Sequence, residues 1–309
     1  MEEGEKVSRR RLLLGAAAVV TVLLAFAISA AAGLYREHQL AARHFSGVRL
    51  SNHEEIASSI REGLKNHSRQ ITVRFTAHSD SMSEISGIAG GLLEEALSET
   101  DDPAEGDYIR FQYGGYEVRY GYNNDRNKYH YVIRILPDYY TTVEQEETVT
   151  EEIQRVLESF AFDEMTSDYE KVRTVYDYIY QNVSYDKVHK NKENQHLKTT
   201  AYSALIYKTA VCQGYSVLMY RMLREAGVSV RVITGTASFE GIEEFHAWNI
   251  VRIDDKYYNL DATWDKALET EDYFLKSDAD FTDHIRDEQY RTEEFYRQYP
   301  MAKHNYKEG

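Results

Sequence analysis

The chain has 309 residues, enough for one large domain or two of ordinary size. Its 36 Lys and Arg against 51 Asp and Glu give a formal net charge of −15, which argues against a nucleic-acid-binding role. Cys212 is the single cysteine, so an intrachain disulfide is excluded.

The N-terminal segment is predicted to be a membrane anchor. Leu12 to Leu34 is an uncharged run of 23 residues, long enough to span a bilayer. The basic residues of segment 1–11 precede it, so the positive-inside rule predicts a cytoplasmic N-terminus and a single-pass protein whose remainder lies outside the membrane. The alternative is a cleaved signal peptide and a secreted protein, because Ala30-Ala31-Ala32 resembles a cleavage site.

Residues 35–51 are predicted to form a stalk, and residues 52–140 a small α+β domain. Two helices with apolar stripes flank a strand at Ile71–Ala77. Three tyrosine-rich strands are predicted next, with Gly114-Gly115 and Asn123-Asn124 as the turns between them. Their ranges are Tyr108–Tyr113, Tyr116–Tyr122 and Tyr129–Leu136. We find no catalytic constellation here. The domain is interpreted as packing support for the anchor or the core, with binding or positioning as the alternative.

Residues 141–309 are predicted to form the catalytic domain. Capping-box spacings begin two helices, at Thr142 and at Ser167. A further helix is predicted to begin at Cys212, because apolar residues recur after it at helical spacing and Gly227 is a natural stop. A thiol at a helix N-terminus faces the positive end of the helix dipole, which favours the thiolate. Cys212 is therefore a candidate nucleophile.

A β-hairpin follows, with strands predicted at Phe245–Ile253 and Lys256–Thr263 around an Asp254-Asp255 turn. With that two-residue loop, His246 and Asp261 lie diagonally on one face of the sheet, within reach of each other. Asp261 would orient His246, and His246 would take the thiol proton and deliver it to the leaving amine.

Three local motifs carry a resemblance to a known family. They are Val211-Cys212-Gln213-Gly214-Tyr215, His246-Ala247-Trp248-Asn249 and Asp261-Ala262-Thr263-Trp264. In this order they resemble the bacterial transglutaminase-like superfamily, over Tyr169 to Trp264. The resemblance implies a papain-like core, in which a nucleophile helix packs on an antiparallel sheet, and a Cys212–His246–Asp261 triad.

Four other residues are candidates for substrate binding. Trp248 and Trp264 are predicted either to wall the acyl site or to pack in the core. Gln213 is either a substrate contact or a structural residue of the helix start, and Tyr202 is a candidate second oxyanion donor. No metal and no other cofactor is predicted, because no metal-binding motif occurs. The tail from Tyr273 is interpreted as structural, with a helix at Arg286–Gln298.

These predictions give a membrane-anchored extracytoplasmic cysteine enzyme that acts on peptide or glutamine amide bonds through a thioester acyl-enzyme. Its expected partners are proteins or peptides at the cell surface. Hydrolysis by a protease or amidase is favoured over amine transfer by a transglutaminase, because no amine-acceptor feature stands out. The alternative from another class is a non-catalytic surface module that uses the same fold to bind a protein.

Overall fold

The structure is a computed structural model that describes residues 43–45, 48–50, 52–77, 84–125, 128–186 and 196–307. Across these ranges, no helix combines the length and the apolar character needed to cross a membrane. The predicted anchor at Leu12–Leu34 lies outside the described residues, as does most of the predicted stalk.

The part before residue 141 has mixed α and β structure. Its elements are β1 (Arg43–Phe45), β2 (Val48–Leu50), α1 (His53–Lys65), β3 (Ile71–Ala77), α2 (Ile85–Ala96), α3 (Asp107–Arg110), β4 (Tyr113–Asp125) and β5 (Lys128–Tyr139). β5 is the central strand of an antiparallel sheet in the order β3-β5-β4. Ile60 of α1, Leu92 of α2 and Ile133 of β5 are fully buried in one apolar cluster, so the helices cover one face of this sheet.

Two details of the tyrosine-rich region differ from the prediction. Tyr108 lies in α3, not in a strand. Gly114-Gly115 is not a turn but a bulge within β4, where the pairing shifts between Tyr113 and Tyr116 and Gly115 takes a φ of 148°. β4 then continues through the predicted Asn123-Asn124 turn to Asp125. Because the bulge absorbs the two glycines, the region forms one long hairpin where three short strands were predicted.

The part after residue 141 holds a second sheet and most of the helices. Its elements are α4 (Val143–Phe160), α5 (Asp168–Asn182), β6 (Ser184–Tyr185), α6 (Ala201–Ile206), β7 (Thr209–Ala210), α7 (Cys212–Glu225), β8 (Val230–Phe239), β9 (Ile242–Ile253), β10 (Lys256–Leu260), α8 (Ala262–Leu268), β11 (His284–Arg286) and α9 (Glu293–Gln298). The sheet is antiparallel in the order β10-β9-β8-β11. Both predicted capping boxes are present, at the starts of α4 and α5.

Helix α7 lies at the centre of this part. Val217, Leu218 and Met222 of α7 are fully buried and share one apolar cluster with Val232 of β8 and Val251 of β9. Complete burial of such side chains is worth about 1.5–3 kcal/mol each, so this contact between helix and sheet stabilises the core. The described residues therefore form a mixed α+β structure whose second part is a helix packed on an antiparallel sheet.

The last strand of the hairpin and the tail also differ from the prediction. β10 ends at Leu260, and Ala262–Leu268 is a helix where the strand was predicted to continue to Thr263. The tail helix is confined to Glu293–Gln298, and the residues before it include β11, which pairs with β8. In the observed arrangement, a side chain of β11 and a side chain at the start of α8 lie in contact with each other.

Polar contacts join the two parts of the chain. Arg231 of β8 donates two hydrogen bonds to the fully buried carboxylate of Asp107, and Tyr220 of α7 donates to Glu99. The division into domains at residues 52–140 and 141–309 stays a prediction.

Candidate active site

Cys212 is the first residue of α7, as predicted, and it is 9% exposed. The start of this helix is tightly packed, because a Cβ added at Gly214 would lie 2.7 Å from the carbonyl oxygen of Lys198. The first backbone N–H groups of a helix have no partner within the helix, so they favour negative charge nearby. This position therefore favours negative charge on the sulfur of Cys212. The same N–H groups also favour negative charge on the oxygen of a substrate carbonyl that the sulfur attacks.

His246 lies on β9, and its imidazole is buried. Its Nε2 is 2.7 Å from Oδ2 of Asp261, and its side chain lines the same cavity as Cys212. Since Nε2 is held by Asp261, Nδ1 is the nitrogen left for the thiol. Burial lowers the pKa of His246, but the charge and hydrogen bond of Asp261, together with Cys212, outweigh it and raise the pKa to about 10.

Asp261 is the N-cap of α8, and its carboxylate accepts four hydrogen bonds. Oδ1 accepts from the backbone N–H groups of Thr263 and Trp264, at 2.9 and 3.1 Å. Oδ2 accepts from Nε2 of His246 and from Nε2 of His284, the latter at 3.1 Å. Burial raises the pKa of this carboxyl, but the two histidines outweigh it, so the pKa lies below its usual range. The ionised carboxylate is thus fixed in one orientation towards His246.

His284 is a member of this site that the sequence did not reveal. Its side chain is fully buried, and its Nδ1 is 2.7 Å from Oδ1 of Asp283. Its ring centroid lies 4.0 Å from that of Phe281 and 4.5 Å from that of Trp264. In the sequence, the only indication of this role is that His284 follows Asp283, and the tail that contains both residues was predicted to be structural.

The four predicted binding residues lie in different surroundings. Trp264 lines the same cavity as Cys212, and its ring lies 5.6 Å from that of His246. Trp248 is 1% exposed and donates its Nε1–H to Asn259, as a core tryptophan does. Gln213 donates to the backbone oxygen of Phe111.

Tyr202 lies on α6, with its ring 5.4 Å from that of Tyr207. Neither Tyr202 nor Trp248 is among the described residues that line the Cys212 cavity. Tyr185, which the sequence analysis did not single out, does line it. Burial raises the pKa of Tyr185, with further contributions from Cys212 and Glu244, so this hydroxyl stays protonated beside the thiol.

The cavity beside Cys212 has a volume of about 300 Å³. Cys212 and His246 lie in its wall, together with Trp264 and with Phe239, Ile242 and Phe245 of the β8–β9 hairpin. A cleft of this size, with a thiol, an imidazole and an oriented carboxylate, can form and resolve an acyl-thioester.

His246, Asp261 and His284 offer one ligand atom each, all within 4.8 Å of one another, which is a spacing that a metal ion could bridge. The same three atoms are joined by the two hydrogen bonds to Oδ2 described above, so proton sharing accounts for their spacing. The prediction that no metal is required stays a prediction.

The site thus combines a cysteine at the start of a buried helix with a histidine on an antiparallel sheet and an aspartate directly after its edge strand. Residues 159–262 match the family model of the transglutaminase-like superfamily. Over this segment the chain is therefore similar to the transglutaminase-like superfamily, while the bacterial branch named from the sequence stays a prediction.

Two relatives match part of this chain. The kyphoscoliosis peptidases of Mus musculus and Homo sapiens are 33% and 32% identical to this chain over 122 residues, which is 36% of this chain. The match covers 18% of the length of each relative. Among solved structures, the crystal structure of a TGase is similar over 48% of this chain and 45% of its own, with a TM-score of 0.34 and 20% identity.

Proposed function

We propose that this protein is a cysteine enzyme that cleaves amide bonds through an acyl-thioester. The observation that carries the proposal is that Cys212 and His246 line the same cavity, while His246 is held by a hydrogen bond to Asp261. A buried histidine with a raised pKa stabilises the thiolate as an ion pair, which is the activated form of a cysteine nucleophile.

The chemistry proceeds in two steps. The sulfur of Cys212 attacks the amide carbonyl, the S–C bond forms, and the C–N bond breaks as His246 gives its proton to the departing amine. In the second step His246 takes a proton from water as the water oxygen attacks the thioester carbon. The C–S bond then breaks, which releases the acid and regenerates the Cys212 thiolate beside protonated His246. The backbone N–H of Cys212, at the start of α7, is our candidate for one oxyanion donor.

We favour water over an amine as the second reactant. The relatives from mouse and human are named peptidases, which supports hydrolysis. An amine in place of water would give the transglutaminase reaction, with the same first step and the same three residues.

We further propose that the enzyme acts outside the cytoplasm, on proteins or peptides of the cell surface. The support is the uncharged run from Leu12 to Leu34 with basic residues before it, which would anchor the protein with its catalytic part outside. Cleavage of the same segment would give a secreted enzyme.

Alkylation of Cys212 tests the central proposal without knowledge of the substrate. Because Cys212 is the only cysteine, uptake of iodoacetamide by the full-length protein in detergent reports this thiol alone. The expected result is rapid alkylation at pH 6, well below the ordinary thiol pKa of about 8.5, and its loss in His246→Ala.

Cys212→Ala, which cannot be alkylated, gives the background. A thiol that reacts equally in the wild type and in His246→Ala would refute the enzyme proposal and favour a binding module.

A further inference from the structure

The tip of the β8–β9 hairpin exposes three large apolar side chains next to the nucleophile. Phe239, Ile242 and Phe245 are 48%, 64% and 63% exposed, and all three line the cavity of Cys212. None of them belongs to the buried apolar clusters of the described residues, so packing of the fold does not account for them. Exposed apolar side chains grouped around a cleft are typical of a binding surface.

This apolar surface continues to the catalytic histidine. The ring of Phe239 lies 5.9 Å from that of Trp264, in an edge-on arrangement, and Trp264 in turn packs against His246. An apolar group bound at the hairpin would therefore lie beside the reacting atoms.

The same hairpin is strongly acidic. Glu240, Glu243 and Glu244 are exposed, and the sequence from Ser238 to Phe245 contains no Lys or Arg. Of the described residues that line the cavity, Glu244 is the only Asp, Glu, Lys or Arg. Since Glu244 acts electrostatically on Tyr185, which lies beside Cys212, its negative charge reaches the entrance of the reacting site.

We propose that this hairpin selects a peptide segment that carries a bulky apolar side chain next to a lysine or arginine, close to the carbonyl that Cys212 attacks. The inference rests on the proposed function and adds its substrate class. The apolar side chain packs on Phe239, Ile242 and Phe245, and the cation is attracted by Glu244.

The two parts of this recognition differ in strength. Burial of a phenylalanine side chain on an apolar surface is worth about tenfold or more in affinity. An exposed ion pair with Glu244 contributes only about two- to fivefold, and salt screens it.

Eight peptidyl chloromethyl ketones test the proposal on the full-length protein. Each compound has two residues before the reactive carbon. One residue is Phe or Ser and the other is Lys or Glu, and each of these four pairs is made in both orders. The thiolate of Cys212 displaces chloride and forms a stable C–S bond, so the second-order rate of alkylation reports recognition. Iodoacetamide, which carries no side chain, corrects for thiol reactivity.

Three variants separate the two contributions. Ile242→Ser with Phe245→Ser should reduce the preference for Phe over Ser from about tenfold to within about twofold. Glu244→Gln should abolish the preference for Lys over Glu, as should about 0.5 M NaCl in the wild type. Ile285→Ser is the matched control, because Ile285 is 54% exposed on β11 and is not among the residues that line the cavity.

Equal rates for all eight compounds, in a protein whose iodoacetamide reaction depends on His246, would overturn the selectivity alone. An equal loss of preference in Ile285→Ser would overturn it as well. An iodoacetamide reaction that is independent of His246 would instead refute the proposed function, and the substrate class with it.

Discussion

Replacement of Asp261 by Asn tests the geometry of the site most directly. Asn is as good an N-cap as Asp, so its amide oxygen is expected to keep the hydrogen bonds from the backbone N–H groups of Thr263 and Trp264. The NH₂ group then faces Nε2 of His246 and Nε2 of His284, where Oδ2 of the carboxylate accepts two hydrogen bonds.

The expected effect follows from the tautomer of His246. With a donor opposite Nε2, this nitrogen must accept, and the proton moves to Nδ1, the nitrogen left for Cys212. That tautomer cannot take the thiol proton. The loss of the carboxylate charge also lowers the pKa of His246 from about 10. We therefore expect kcat to fall by roughly 10³- to 10⁴-fold, as in other sites where the orienting carboxylate is lost.

The pH dependence of iodoacetamide alkylation measures this before a substrate is known. At pH 6 Asp261→Asn should react at least about tenfold more slowly than the wild type, and the difference should close above about pH 8.5. Asp168→Asn, in the first turn of α5, is the control for an aspartate at a helix start away from the site. A folded Asp261→Asn protein with the pH profile of the wild type would refute the proposed role of the carboxylate.

Substitutions at three further positions give measurable outcomes. His284→Phe keeps a ring but leaves Asp261 without one of its donors, so urea unfolding should show a loss of about 2 kcal/mol, and His284→Gln a smaller one. Gly235→Ala places a Cβ 2.0 Å from the carbonyl oxygen of Ile285, so it should displace β11 and destabilise the protein by about 2 kcal/mol or more in the same assay. Glu99 has a pKa raised to about 7, chiefly by burial, so the folded state binds more protons than the unfolded state above pH 4.5. The free energy of unfolding should then fall by about 1–3 kcal/mol between pH 4.5 and 7, and Glu99→Gln should remove this slope.

For each of these predictions, a specific result would contradict the reasoning. Equal stability of His284→Phe and the wild type would mean that the second histidine contributes nothing to the site. An unchanged Gly235→Ala protein would contradict the close approach of β11. A slope that persists in Glu99→Gln would assign the pH dependence to other groups.

The helix that carries Cys212 was predictable because its signals are local. The apolar spacing after Cys212 fixes the buried face, and Gly227, with a φ of 81°, ends the helix where the sequence predicted. The contact between His246 and Asp261 was predictable for a similar reason. The two-residue loop sets Lys256 opposite Ile253, and the pairing continues to Leu260 opposite Asn249.

The type of element at Asp261 was predicted wrongly, and two signals in this segment compete. Thr263 and the aromatic residues before it favour a strand, whereas Asp261 is also a strong N-cap residue. In the structure the cap prevails, and the backbone turns into α8 directly after Leu260. The consequence is functional, since a cap position directs two backbone N–H groups at Oδ1 and so fixes the carboxylate.

His284 was beyond sequence reasoning because its position depends on a long-range pairing. β11 has only three residues, too few for a periodic pattern, and it pairs with β8 next to Gly235. Gly235 has no side chain, which lets the backbone at Ile285 approach closely enough to deliver His284 to Asp261. Gly235 also lies opposite His246 across the β8–β9 pair. Gly235 is therefore the sequence signal to follow, because a glycine opposite His246 marks where a distant segment can approach this site.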